Sequence, residues 1–490
     1  MIHPLKLNTR LLLSRITKFI SAILLAYFLI TAVTLTYTRF FDHDEFQHIH
    51  IAWSMRHGAS LYSQDLSDQH NIGFSLTNIG IWNFLHLPET FNTLFVFRTV
   101  SLMCLGLILW LVYKIACTIF NKSVAQIACL ILIANMTFIN KVIEIRPDVI
   151  MNTLLLWSAY FVYTKKPTGT TLVDIGVLWG FALLFHFKAL LFIIPYIIIL
   201  LFIARTPDTK KSSFTKLFAL ITILIFCFGL LFAFKILLVK FSSVSLLGFL
   251  RYTVFYYFKL WASSWRPYKW HPFSQSIPWS NLFFIGLGWA APLIYILKEK
   301  INQKKTIFLT ISALLSSLLY FGLYRQWFML FIPAFSINIA VTLHYLWQKK
   351  EPLSKILSAI LLAILMTAAL FESATLWKVD IIPRSYLPQK RLTDAVLQET
   401  DPAQKIFFFW SNMGGYMFRP HALAQWKQNL AKMQRDITYK NISIPTLQKN
   451  PDFAVLYDKS EYSPEPPDLQ LFLERNYRQS KQDHRLWLKK

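Results

Sequence analysis

The chain has 490 residues, 55% of them hydrophobic and 16% aromatic against 15% charged, with a mean hydropathy of +0.43. A soluble chain carries about 25% charged residues, so disorder, a disulfide-stapled secreted domain and an ordinary cytosolic enzyme are excluded. The net charge of +25 does not indicate nucleic acid, because Lys and Arg cluster in short segments between apolar runs, as cytoplasmic loops do.

The first apolar run, Ile16 to Tyr37, follows Lys6, Arg10, Arg15 and Lys18. A signal peptide has a shorter core and a small-residue cleavage site, so this run reads as an uncleaved span. Further runs at 92–113, 124–140, 149–164, 171–186, 189–204, 214–239, 278–297, 306–323, 327–347 and 355–377 bring the expectation to about eleven transmembrane helices, each able to cross the hydrocarbon layer. With the N-terminus inside, alternation assigns Lys114 and Lys122, Lys165 and Lys166, Arg205 to Lys216, Lys298 to Lys305, and Lys349 to Lys355 to the cytoplasmic side. The positive-inside rule agrees at each of these loops. Cys104, Cys117, Cys129 and Cys227 fall in or beside apolar runs, so no disulfide framework is implied.

Two long loops are external on this count. Residues 38–91 are acidic, with Asp42, Asp44, Glu45, Asp65, Asp68 and Glu89; residues 240–277 carry Tyr256, Tyr257, Trp261, Trp265 and Trp270 among cations, which suits the headgroup layer. A transmembrane domain therefore occupies 1–378. Residues 379–490 turn polar and proline-rich and predict a small external α/β domain. Its strands are expected at Lys405–Trp410 and Phe453–Tyr457, its helices at Leu392–Glu399 and Leu469–Arg475.

From Asp44 the pattern becomes helical: Phe46, Ile49 and Trp53 form an apolar stripe, Gln47, His50, Ser54 and His57 a polar one, and Gly58 stops it. Asp44 and Glu45 thus begin a short helix just after the first span. Asp44 reads either as a cap with Glu45 complementing the helix dipole or as a functional carboxylate. Glu144, Arg146 and Asp148 precede the fourth span, with Pro147 suited to a first turn; Lys188 lies between spans five and six, and Arg325 and Gln326 between spans nine and ten. Topology gathers them on the outer face with Asp44. Cations there oppose the positive-inside trend, and their convergence with carboxylates points to a substrate site. Such a set suits transfer of a group from a lipid phosphate: a carboxylate accepts the proton of an attacking hydroxyl, and Arg and Lys hold the phosphate. Glu45 and His48, three residues apart on a helix, are a weak metal pair. Other loop histidines (His43, His50, His57, His70, His86) read as solvated.

The motifs Asp44-Glu45, Leu61-Tyr62 with Asp65, Arg146-Pro147-Asp148, Lys188 after a Gly180-containing span, and Arg325-Gln326-Trp327 to Pro333 resemble the GT-C fold membrane glycosyltransferases. The group is that of the protein mannosyltransferases and aminoarabinose transferases, with the RgtA/B/C/D-like domain. The resemblance covers roughly the first 345 residues, in short motifs whose order and shared side carry it. It departs at Asp68 to Gly73, where many relatives carry a proline pair. The resemblance implies an inverting transferase with a polyprenyl-phosphate-sugar donor and a glycan, lipid or protein acceptor in the cell envelope. It implies a multi-pass protein of the bacterial inner membrane, working on the periplasmic face among membrane lipids. By the same resemblance Asp44 is the general base, Glu45 its support or a metal ligand, and Asp148 a second acidic site residue. Arg146, Lys188 and Arg325 become phosphate contacts, with Tyr62 and Gln326 on the substrate. No cofactor is certain beyond a possible divalent metal ion. The alternative is a transporter or flippase for an amphipathic anion, which needs ionisable or broken-helix residues near the midplane; here the charges gather at the outer ends.

Overall fold

The structure, a computed structural model, describes residues 9–59, 72–165, 168–186, 188–204, 331–378, 385–408, 416–420, 447–457 and 469–490, with isolated positions at 284, 286–289, 292, 414, 444 and 445. The expected spans 214–239 and 306–323, most of 278–297 and the aromatic loop 240–277 lie outside the described residues, as do Tyr62, Arg325 and Gln326.

The helical part runs α1 (Thr9–Thr38), α2 (His43–Arg56), α3 (Gly73–Phe84), α4 (Thr93–Ile119), α5 (Lys122–Ala134), α6 (Met136–Val142), α7 (Pro147–Thr164), α8 (Gly169–Phe185), α9 (Ala189–Ala204), α10 (Ile332–Gln348) and α11 (Pro352–Leu376). Among the described residues three helices are long and apolar enough to cross a membrane: Phe19–Thr38 of α1, α4 and α11. A fourth span is added if α5 and α6 count together. The expected unbroken span at 124–140 is therefore corrected: the pair is bent by 71°. The cause is Asn135, whose extended backbone ends α5 and whose side chain accepts from Phe138 N at 2.8 Å to start α6.

Helix α4 packs on α5 and α7, α7 on α8, and α10 on α5. Apolar contrast with lipid does not drive such contacts, so close packing and cross-helix hydrogen bonds must. One such bond runs from Trp179 Nε1 on α8 to Ser158 Oγ on α7, 3.0 Å long and buried. Helix α3, not anticipated from the sequence, lies against the end of α8, where the Gly73 Cα meets the Leu184 backbone so closely that a Cβ would come to 2.6 Å from Leu184 O.

The tail contributes α12 (Leu387–Glu399), β1 (Ile406–Phe408), β2 (Ala454–Leu456), α13 (Leu469–Asn476), β3 (Tyr477–Gln479) and β4 (Leu486–Lys489). The sheet order is β1-β2-β4-β3; β1 and β2 are parallel in register Phe407 with Val455, and the other pairs are antiparallel. Strand alternation divides its side chains. Phe407, Val455, Tyr477 and Trp487 close on Leu469 and Leu473 of α13, while Ile406, Ala454, Leu456, Leu486 and Leu488 join the core that runs on into the helical part. One sheet face thus shares its core with the helices. The two expected strands form, at Ile406–Phe408 and Ala454–Leu456 among the described residues. The hairpin β3–β4 was not expected, its segments being too short to show alternation.

Candidate active site

The site stands where one end of the helical bundle meets the tail. Asp42, in extended conformation, is the N-cap of α2: its carboxylate accepts from Asp44 N at 3.0 Å, and Glu45 Oε2 accepts from Asp42 N at 2.8 Å. This is a reciprocal capping box. The cap expected of Asp44 therefore belongs to Asp42, and the Asp44 carboxylate is left to face the cations.

Glu45 is fully buried and paired with fully buried Arg98 of α4. Its Oε1 accepts from Arg98 Nε at 2.8 Å and Ile145 N at 3.1 Å, its Oε2 from Arg98 Nη2 at 2.7 Å and Asp42 N. Four donors on two oxygens fill a carboxylate's lone pairs. Arg98 goes on to donate to Thr36 O, Arg39 O and Phe40 O at 2.8–3.1 Å, and its guanidinium lies over the Phe41 ring. The pair thus ties the end of α1, the start of α2, α4 and the turn before α7 together. In this structure both Glu45 oxygens are engaged by these four donors, and His48 is buried nearby on the same helix.

Glu144, also fully buried, gathers Arg39 Nη2 at 2.6 Å, Lys141 Nζ at 2.8 Å and Arg146 Nε. Arg146 continues to Asp44 Oδ2 at 2.8 Å and Asp42 Oδ1 at 3.5 Å. Across the same turn, Lys188 Nζ reaches Asp148 Oδ1 at 3.0 Å, both side chains buried. The structure thus brings Asp44, Arg146, Asp148 and Lys188 to one end of the bundle. It pairs Arg146 with Asp44 and Asp148 with Lys188.

Burial pushes the Asp44 carboxyl up, but the Arg146 charge and the His43 hydrogen bond outweigh it, and the net shift is well below the ordinary carboxylate value. Asp42 is likewise lowered, burial being overcome by His43 and Arg146. Burial pulls His43 down, yet its bonds to Asp42 (3.1 Å) and Asp44 (2.9 Å) hold it up at about 9. Imidazolium is therefore its form at neutral pH, in place of the solvated histidine read from sequence. Burial lifts the nearby Tyr416 phenol, and the Asp44 charge adds to the shift.

The ligand atoms of Asp42, His43 and Asp44 lie within 4.8 Å of one another. Two carboxylates and an imidazole suit a divalent cation in donor type. With His43 protonated and Arg146 on Asp44, the charge is already matched, so a metal here must displace the His43 proton.

Sequence reading missed Asp42, His43, Arg98 and Lys141 as members of this network. Arg98 had a signal: a lone cation within an apolar run demands a buried partner. The capping role of Asp42 was hidden by its equally plausible neighbour.

With this geometry in view, the comparisons decide the fold. The dolichyl-phosphate-mannose-protein mannosyltransferase family matches residues 81–232. ArnT from Cupriavidus metallidurans bound to undecaprenyl phosphate is similar with a TM-score of 0.57 and 11% identity, over 96% of this chain and 97% of that one. The chain shares the GT-C fold of these structures. The archaeal oligosaccharyltransferase AglB from Archaeoglobus fulgidus, in complex with an inhibitory peptide and a dolichol-phosphate, is similar with a TM-score of 0.61 and 10% identity, over 90% of this chain and 70% of that one. The Archaeoglobus fulgidus oligosaccharyltransferase in complex with Zn and sulfate gives 0.56 and 11% over 81% of this chain, which spans 61% of that longer protein. No curated protein matches by sequence. The resemblance read from the motifs thus holds for the fold, at identities where only fold is shared.

Proposed function

We propose that this GT-C chain is an inverting membrane glycosyltransferase that moves a sugar from a polyprenyl-phosphate-linked donor to a hydroxyl of an envelope glycan, lipid or protein. The observation that carries the reading is the 2.8 Å contact of Arg146 with Asp44, which sets an ionised carboxylate beside a cation able to grip a phosphate. In the reaction the acceptor oxygen attacks the anomeric carbon from the face opposite the phosphate. The bond from that carbon to the phosphate oxygen breaks, and the electron pair leaves on polyprenyl phosphate. Asp44 takes the hydroxyl proton, and Arg146 and Lys188 meet the charge growing on the leaving phosphate. Asp148 holds Lys188 in place. Arg325, Gln326 and Tyr62 are proposed to complete the substrate contacts.

In this reading, residues 1–378 form the transmembrane domain and 379–490 the periplasmic one. The protein crosses a bacterial inner membrane many times with its N-terminus in the cytoplasm. The test uses purified protein in detergent, a panel of radiolabelled polyprenyl-phosphate sugars and a crude envelope acceptor extract, following release of free polyprenyl phosphate. Wild type should release it in an acceptor-dependent way, and Asp44→Asn should fold normally and release none. Wild-type turnover by Asp44→Asn would remove Asp44 as the base; donor binding without release from any donor would favour a transporter.

A further inference from the structure

We infer that the C-terminal tail is a working part of the site, with Gln389 a positioning residue that holds the backbone at Phe41 and thereby sets where the Asp42–Asp44 turn stands. The functional half of this inference rests on the proposed transferase; the structural half does not.

Phe41 lies between α1 and α2, immediately before the cap that starts the acidic turn, where neither helix supplies partners for its backbone. Gln389 on α12 supplies both: Phe41 N donates to Gln389 Oε1 at 2.8 Å, and Gln389 Nε2 donates to Phe41 O at 2.8 Å. An amide side chain offers a donor and an acceptor side by side whatever the pH, and Asn is one methylene shorter. Gln389 and Phe41 are both fully buried, so water cannot take over if the amide is lost. Beside this fork, Arg39 forms a bridge with Ser385, and the Tyr386 ring stacks on Phe91 at 5.9 Å and meets Phe95 edge-on at 5.0 Å.

The tail also touches α2 further along the helix. Met417 O and the His50 Nδ1 are 3.0 Å apart, and Tyr416 meets the His50 ring. Gly414, at φ +69°, lies so close to Phe46 that a Cβ would come to 2.3 Å from its ring. Arg419 joins both grips by donating to Thr400 Oγ1, Thr400 O and Leu397 O at the end of α12. One unit therefore holds α2 at the residue before its cap and two turns further on. Asp44 lies between those points, and reacting groups tolerate displacement of only a fraction of an ångström.

The experiment uses the full chain in detergent and compares wild type with Gln389→Met, which keeps length but loses both bonds, and Gln389→Glu, which as the carboxylate keeps the acceptor alone. Gly414→Ala presses on the Phe46 ring. Two quantities are read: amide hydrogen exchange in peptides spanning Arg39 to Phe46, and the steady-state constants for polyprenyl-phosphate sugar. Exchange at Phe41 should rise by about tenfold or more in Gln389→Met. kcat should fall about 10–100-fold with donor KM within about twofold, because Arg146 and Lys188 are untouched. Gln389→Glu should lie between Gln389→Met and wild type. Unchanged exchange overturns the clamp, and faster exchange with unchanged kcat per folded molecule overturns the positioning role. If Gln389→Met does not fold, Gln389→Glu and Gly414→Ala decide by the same readouts. A wild type that transfers no sugar, with Phe41 exchange still accelerated in Gln389→Met, overturns the transferase reading and leaves the clamp standing.

Discussion

Replacing Glu45 by Gln tests whether the buried pair with Arg98 is what holds the site together. The amide keeps the shape of the carboxylate but offers one oxygen where four donors now converge on two. Its NH2 must therefore face Arg98 in either orientation, together with the Ile145 or the Asp42 N–H. Breaking a buried ion pair from one side costs about 3–5 kcal/mol, because the remaining charge is left uncompensated. Arg98 keeps three backbone carbonyls at 2.8–3.1 Å, which puts the expected loss at the low end, about 3 kcal/mol. That is a large share of the roughly 5–15 kcal/mol that holds a typical domain folded. The assay is equilibrium unfolding in mixed micelles for Glu45→Gln, Arg98→Met and the double variant. The double variant should lose at least about 2 kcal/mol less than the two singles added together. A Glu45→Gln protein within about 0.5 kcal/mol of wild type, or strictly additive losses, would refute the reasoning.

Lys188→Met should leave the buried Asp148 carboxylate without its 3.0 Å partner, lowering stability by about 3 kcal/mol or more, whereas Lys188→Arg should retain most of it; thermal unfolding of the two separates them. The folded pKa of His43, about 9, stands above its ordinary 6.5. Its contribution is therefore complete below pH 6.5 and is lost as pH rises through 9, and wild type minus His43→Gln stability should fall across that window while staying level below it. Gly73→Ala should destabilise by about 1–2 kcal/mol because its Cβ would press on the Leu184 backbone. Gly80→Ala on the same helix, where a Cβ meets nothing within 4 Å, should instead gain about 0.5–1 kcal/mol from helix propensity.

What was legible in the sequence was what depends on local pattern. The apolar run of α4 and the Pro147 start of α7 follow from composition and backbone chemistry, and the helix from Asp44 shows the 3.6-residue period. The short strands Ile406–Phe408 and Ala454–Leu456 stood out as apolar islands in a polar tail. Alternating sidedness correctly placed Asp44, Arg146 and Lys188 at one end, since each follows an odd or precedes an even span. The rest depends on three-dimensional partners. That Asp42 caps α2 while Asp44 meets Arg146 at 2.8 Å is visible only in the folded chain, since Arg146 lies about a hundred residues away in sequence. Asn135 could not be distinguished from an ordinary polar residue in a span until its two helices were seen to diverge. The contact of Gln389 with Phe41 joins positions 348 residues apart, and no spacing rule could announce it.

For the proposed transferase, the resting site also constrains how donor and base communicate. Arg146 now serves Asp44, Asp42 and Glu144 together, and its charge is the leading influence that keeps the Asp44 carboxyl low against burial. In the proposed reaction, a lipid phosphate that reaches Arg146 offers its guanidinium a stronger, bidentate partner. As Arg146 turns toward it, Asp44 loses the charge that depresses its pKa and becomes a better base when the donor is in place. The acid limb of kcat/KM reports the free enzyme, and that of kcat the donor complex. The kcat limb should therefore stand at higher pH than the kcat/KM limb, each unit of separation representing about 1.4 kcal/mol of Arg146–Asp44 interaction given up to the phosphate. Arg146→Lys, a point charge without the fork, should raise donor KM and narrow the gap. Coincident limbs in wild type would mean that Arg146 stays on Asp44 throughout, and that the phosphate is held by Lys188 and the residues beyond it.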